Sequence, residues 1–171
     1  MRLRRKVCLL GAPEVGKTSL VRRFVEDSFD EGFSSSIDVG ISKGVLELGD
    51  VELQMMLWDP GGNEPWAQYN RSFISGASGL AFVADSTRPE TLDHLLEVQV
   101  KERGFLGNRP SVLILNKVDL TDRYALTKWQ VDAAGLIDWH IVRTSARSGE
   151  KVREAFGDLA AMMLEARKVS A

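Results

Sequence analysis

The feature that most narrows what this chain can fold into is a short loop: residues 11–18 read Gly-Ala-Pro-Glu-Val-Gly-Lys-Thr. An apolar run, Val7-Cys8-Leu9-Leu10, leads into it, and an amphipathic stretch, Ser19-Leu20-Val21-Arg22-Arg23-Phe24-Val25, leads out. Strand, glycine-bearing loop and helix come in the order that a Gly-x-x-x-x-Gly-Lys-Thr phosphate loop requires. Backbone N–H groups of such a loop and of the helix start make a positive nest for phosphate oxygens. Lys17 is expected to reach the β- and γ-phosphates, and Thr18 to place its hydroxyl on Mg²⁺. The loop specifies a nucleoside triphosphate and leaves the base and the chemistry to the rest of the chain.

With 171 residues, the chain suits a single domain over residues 1–171 with a real core. Its net charge is −2, from 22 basic and 24 acidic residues, so nucleic acid is not expected as a partner. The cluster Arg2-Leu3-Arg4-Arg5-Lys6 could touch an anionic membrane but reads more readily as a solvated edge before the first strand. The apolar run after it is too short for a signal peptide and is cut by Pro13 and Glu14. No segment approaches membrane-spanning length. The single cysteine, Cys8, makes no internal disulfide and fits a reducing cytoplasm. The terminal Lys168-Val169-Ser170-Ala171 offers no cysteine to prenylate, and Met1-Arg2 is no myristoylation start, so no lipid anchor is expected. A monomer is the default.

Apolar β-type runs alternate with helical patterns. The first strand is expected over Arg4–Leu10 and the first helix over Lys17–Asp27. A hairpin follows, Val39–Leu48 and Val51–Trp58 about a Gly49-Asp50 turn. Gly44-Val45-Leu46 interrupts the alternation and leaves the register of the first hairpin strand open. Leu80–Ala84 and Val112–Leu115 read as fully buried parallel strands, and Ile141–Val142 as the last strand. Helices are expected near Pro89–Arg103 and Thr127–Ala134. Thr127 and Gln130 form a capping box in the latter. The final helix, near Gly149–Lys168, buries Val152, Phe156, Leu159 and Met163 at helical spacing. The result is an α/β fold, a six-stranded, mostly parallel sheet with helices on both faces.

Further motifs choose the chemistry. Asp59-Pro60-Gly61-Gly62 follows the third strand and can supply a carboxylate for Mg²⁺ and a glycine N–H for a γ-phosphate. Asn116-Lys117-Val118-Asp119 follows a buried strand. A carboxylate there accepts two hydrogen bonds from the N1–H and 2-amino group of guanine, which adenine lacks. A site built on that pair rejects the wrong base by leaving a polar group unpaired, at roughly 1–3 kcal/mol or more. Thr144-Ser145-Ala146 can bring a backbone N–H to the guanine O6.

Taken in order, Gly-Lys-Thr, Asp-x-x-Gly, Asn-Lys-x-Asp and Ser-Ala make the chain resemble the Ras-superfamily small GTPases over essentially its full length. Residues 85–92, 116–120 and 144–152 look Rab- or Ras-like, although no subfamily fits cleanly. The resemblance implies a G domain of the P-loop NTPase class that binds GTP or GDP with Mg²⁺. It assigns Gly11, Glu14, Val15, Gly16, Lys17, Thr18 and Ser19 to the phosphates. It assigns Phe29 to a ring packed on guanine, and Thr18, Ser36 and Asp59 to the Mg²⁺ shell. Gly62 goes to the γ-phosphate, and Asn116, Lys117, Asp119, Ser145, Ala146 and Arg147 to the base pocket. Catalysis falls to Lys17, Gly62 and Asn63. Protein effectors and regulators, an activator and an exchange factor among them, are expected on switch I and switch II. The missing anchor suits a bacterial or archaeal Ras-like protein or a subunit recruited by others.

Departures from the family bear on rate. Asn63 stands where the family has a water-orienting glutamine and is one methylene shorter, so slow intrinsic turnover is expected. Pro13 adds bulk where an arginine finger passes and removes an N–H. Ser36 replaces threonine, Phe33 replaces tyrosine, and Pro60-Gly61-Gly62 is closer to the Arf pattern. No arginine lies in residues 29–37, which excludes a finger in cis from switch I and leaves one in trans as the usual alternative; Arg71 is a weak cis candidate and reads more readily as a surface charge. Ile37, Val39, Ile41, Trp58, Trp66 and Phe73 are apolar residues in or beside the switches, the family's partner-binding region. For Val39, Ile41 and Phe73 a place in the core is at least as expected, while Trp58 lies on the polar-alternating face of its strand. The reading is a cytoplasmic GTP-hydrolysing switch. The alternative is a nucleotide-gated binding or scaffold module with little or no hydrolysis.

Overall fold

The computed structural model describes residues 1–27, 40–60, 71–135 and 139–169. Among these residues the strands are β1 (Arg2–Leu10), β2 (Gly40–Leu48), β3 (Val51–Asp59), β4 (Gly79–Asp85), β5 (Ser111–Asn116) and β6 (His140–Arg143). The helices are α1 (Lys17–Glu26), α2 (Arg71–Ile74), α3 (Glu90–Lys101), α4 (Arg103–Leu106), α5 (Lys128–Gly135) and α6 (Val152–Val169). The strands form one sheet in the order β2-β3-β1-β4-β5-β6. Among the described residues only the β2–β3 hairpin is antiparallel; the other pairs are parallel.

The long apolar strands are buried because both faces are covered. Val7 and Leu9 of β1, with Val83 and Ile114, pack under α1 and α6. Cys8 and Leu10, with Phe82 and Leu115, pack under α2, α3, α4 and α5. Alternate residues of one strand thus enter different cores, as the period of two demands. On α6 the expected stripe Val152, Phe156, Leu159 and Met163 is buried. Phe156 stacks on Phe24 of α1 with ring centroids 4.5 Å apart, a pairing worth about 0.5–1.5 kcal/mol beyond its burial.

Three local expectations are settled or revised. Gly44 does not disturb the register of β2; it lies opposite Met55 in an unbroken ladder. It takes an inward position, with buried Leu46 two residues on, and a Cβ there would stand 2.2 Å from the Phe24 ring. Glycine is needed because an aromatic ring fills the space. Ile41, for which the sequence leaves core and partner-facing places both open, is 53% exposed: it lies on the outward face of an edge strand, paired with Trp58. The helix expected over Pro89–Arg103 ends at Lys101, and the separate turn of α4 follows at Arg103–Leu106. The capping box on α5 is as expected: the Thr127 N–H donates to Gln130 Oε1 at 3.0 Å and the Gln130 N–H to Thr127 Oγ1 at 3.2 Å.

Strands β1, β3, β4, β5 and β6 run parallel, so their carboxyl ends share one edge. Ligands of open α/β sheets bind at that edge. The segments leaving it begin at Gly11, Asp59, Asp85, Asn116 and Thr144.

Candidate nucleotide site

The loop after β1 is shaped by two glycines. A Cβ on Gly11 would meet the Val83 carbonyl oxygen at 2.4 Å, and one on Gly16 the Asn116 side-chain nitrogen at 2.3 Å. Gly16 also has φ 100, in the left-handed region, which costs an L-residue roughly 1–2 kcal/mol. Among the described residues, the N–H groups of Glu14, Val15, Gly16, Lys17, Thr18 and Ser19 donate to no acceptor. Unpaired donors at a helix start are an anion nest.

Lys17 is only 4% exposed. Its ammonium donates to the carbonyl oxygens of Gly11 at 2.8 Å and Ala12 at 3.0 Å. Burial lowers its pKa to about 8; the negative charge of Asp59 opposes that shift and the positive charge of Arg88 adds to it. Thr18 donates its hydroxyl to the Asp59 carboxylate, joining the start of α1 to the end of β3. A hydroxyl and a carboxylate make an oxygen-only pair, which fits a hard cation such as Mg²⁺.

On the base side, Asn116 is the junction. Its Nδ2 donates to the Val15 carbonyl at 3.0 Å. Its Oδ1 accepts from Thr144 Oγ1 and from the Ala146 N–H, each at 3.1 Å. Phosphate loop, β5 and the turn after β6 meet on one buried amide. Lys117 has φ 67 and donates to the Glu14 carbonyl at 2.7 Å, while pairing with Asp85 at 2.7 Å. Asp119 is half-buried, and its carboxylate has no partner among the described residues. Ser145 and Ala146 are buried, and Arg147 is exposed.

Sequence reasoning missed some participants. Asp85 ends β4 with its side chain 1% exposed. Burial would raise its pKa, but hydrogen bonds from Lys117 and Thr87 and the charge of Lys117 outweigh that and lower it. Its signal was an acid closing an apolar strand with a threonine two residues on, where the Thr87 N–H and hydroxyl bond Asp85 Oδ1 at 2.9 and 2.7 Å. Arg23 of α1 donates to the carbonyls of Ala146 at 2.9 Å and Arg147 at 2.6 Å. Nothing in the sequence distinguished it from a surface arginine. Arg71 pairs with Glu102 at 3.1 Å and lies over the Phe105 ring, which gives it the surface role rather than that of a cis finger. Trp58 and Phe73 are half-buried in edge contact at 6.1 Å, with the Lys6 ammonium 4.0 Å over Trp58.

Phe29, Phe33, Ser36, Ile37, Val39, Gly61, Gly62, Asn63 and Trp66 lie outside the described residues.

The Ras family model matches residues 6–165. The chain belongs to the Ras family. Curated relatives agree with this. The chain is 30% identical to the Ras-related protein RABC1 of Arabidopsis thaliana over 170 residues, 97% of this chain and 80% of that one. It is 30% identical to the human Ras-related protein Rab-30 over 166 residues, 95% and 82% of the two chains. To human Rab-8B it is 30% identical over 158 residues, 91% and 76%. This Ras-family chain therefore has the P-loop G-domain fold and belongs among the small GTP-binding switch proteins, which in general use GTP, GDP and Mg²⁺. No helix of its described residues is long and apolar enough to cross a membrane.

Proposed function

We propose that the chain is one G domain over residues 1–171 that binds GTP and Mg²⁺, hydrolyses GTP slowly to GDP and phosphate, and presents switch I and switch II to protein effectors and regulators. The observation that carries this reading is the Asn116 side chain, hydrogen-bonded to the phosphate loop at Val15 and to the base turn at Ala146. One amide thereby holds a phosphate nest beside a carboxylate, Asp119, suited to guanine.

In this reading the nest N–H groups of residues 14–19 orient the phosphates, and Gly11 lets the chain turn closely beneath them. Lys17 exchanges its two carbonyl partners for β- and γ-phosphate oxygens. Thr18 and Asp59, with Ser36, would hold Mg²⁺, which supplies charge neutralisation at the β- and γ-oxygens. Asp119 accepts from guanine, Ala146 donates to its O6, and Ser145, Lys117 and Arg147 shape the pocket with Phe29. Gly62 offers an N–H to the γ-phosphate, and Asn63 orients water less well than glutamine would. A buried free thiol, Cys8, supports a cytoplasmic setting.

Nucleotide released from freshly purified, denatured protein is expected to be guanine nucleotide; adenine nucleotide would overturn the base assignment. Single-turnover phosphate release by Asn63→Gln is expected to exceed wild type about tenfold or more. Equal rates would remove the Asn63 explanation, and no release from either protein would favour the nucleotide-gated binding module.

A further inference from the structure

Pro13, one of the departures from the family pattern, touches Arg88. Arg88 follows β4, and its Nη2 donates to the Pro13 carbonyl at 2.7 Å. Its Nε pairs with Asp85 Oδ2 at 3.1 Å. Lys117 reaches that same Oδ2 at 2.7 Å and donates to the next carbonyl of the loop, that of Glu14, also at 2.7 Å. One buried carboxylate therefore holds two cations, and each cation holds one of two consecutive loop carbonyls.

The peptide bond converts that hold into aim. A trans peptide points its C=O and N–H in opposite directions. The Pro13 carbonyl shares a peptide with the Glu14 N–H, and the Glu14 carbonyl shares one with the Val15 N–H. Drawing both oxygens outward turns both N–H groups toward the nest. The loop needs such help here: Pro13 and Glu14 are exposed, Glu14 has φ 64, and Pro13 has no N–H with which to anchor itself. Lys117 belongs to the base motif. Arg88 does not, and it is anchored to Asp85 by its own guanidinium.

We propose that Arg88 is a positioning residue, a clamp that aims the Glu14 N–H at bound phosphate and so sets how long the nucleotide stays. The inference rests on the guanine-nucleotide reading above. An arginine suits the task because its planar fork bonds a carboxylate and a carbonyl at once, which a lysine ammonium does less well. The positive charge of Arg88 also reaches Lys17, which places it within electrostatic range of the phosphate lysine.

The test uses the full chain loaded with a fluorescent GDP analogue in Mg²⁺, chased with excess unlabelled GDP. Arg88→Ala is expected to release the analogue about ten times faster than wild type, and Arg88→Lys about threefold faster, as a partial rescue. The preference for GDP over ADP is expected to stay unchanged in both variants, since the clamp acts on phosphate and not on the base. Equal release rates in wild type and Arg88→Ala, with both retaining GDP, would overturn the clamp alone. Faster release with no rescue by lysine and a collapse of the GDP preference would also overturn it, as general loosening. A wild-type protein that holds no guanine nucleotide would overturn the clamp and the functional reading together.

Discussion

Asn116 and Lys17 both bond the phosphate loop but use their hydrogen bonds differently. Asn116 bonds the Val15 carbonyl, the Thr144 hydroxyl and the Ala146 N–H. Those bonds hold the frame and leave the Asp119 carboxylate without a partner among the described residues. Lys17 bonds the Gly11 and Ala12 carbonyls, and Thr18 bonds Asp59. There the side-chain groups expected to meet phosphate and metal are already engaged with the protein. The base side is a frame already bonded, whereas on the phosphate side the nest N–H groups stand open and the Lys17 ammonium and Thr18 hydroxyl have protein partners to exchange. An unpartnered group gives up only water on binding. An exchanged one contributes only the difference between two sets of partners.

The largest expected effect strikes the base side. Asp119→Ala should weaken GDP binding by roughly 100-fold or more, about 3 kcal/mol, while leaving the unfolding temperature near wild type. Competition binding with GDP and ADP, beside thermal unfolding, checks both. A large fall in stability with affinity intact would break the comparison.

Next is the point where the two sides touch. Gly16→Ala adds a methyl in left-handed backbone against the Asn116 amide. The cost is expected to be about 2–3 kcal/mol, a fall in unfolding temperature of roughly 5–10 °C. Thermal unfolding of the nucleotide-free protein reads it. An unchanged temperature would mean that Asn116 moves aside freely and is not a frame.

Asp85→Asn sharpens the comparison with the smallest effect, about 1–3 kcal/mol, because Lys117 and Arg88 lose their shared carboxylate. The sign with pH is defined. The Asp85 pKa is lowered on folding, so its stabilisation is full above the ordinary carboxylate value and is lost as pH falls through the lowered one. The advantage of wild type over Asp85→Asn should therefore shrink in acid. Unfolding temperatures across pH 2–7 would show it, and a gap constant with pH would sink the assignment.

The element order and the loops at the sheet edge were legible because each motif sits where an apolar run stops, and burial on both faces forces such runs to be uninterrupted. Gly44 was not legible. Its reason is the Phe24 ring from α1, a contact that no pattern within β2 carries. Ile41 stays open in the sequence for a related reason: an apolar residue in a strand gives no sign of whether that strand closes the edge of the sheet. Arg23 and Arg88 act through backbone carbonyls of the site loops. A carbonyl leaves no mark in a sequence, since every residue has one.

The reach of Asn116 has a consequence for how the protein is made. Its bond to Val15 spans 101 positions of chain, and its bond to Ala146 spans another 30. A nascent chain leaves the ribosome with its phosphate loop first and the partners that brace it last. Such non-local closure is slow, and exposed intermediates precede it. Closure of this frame thus waits until the stretch around residue 146 has emerged.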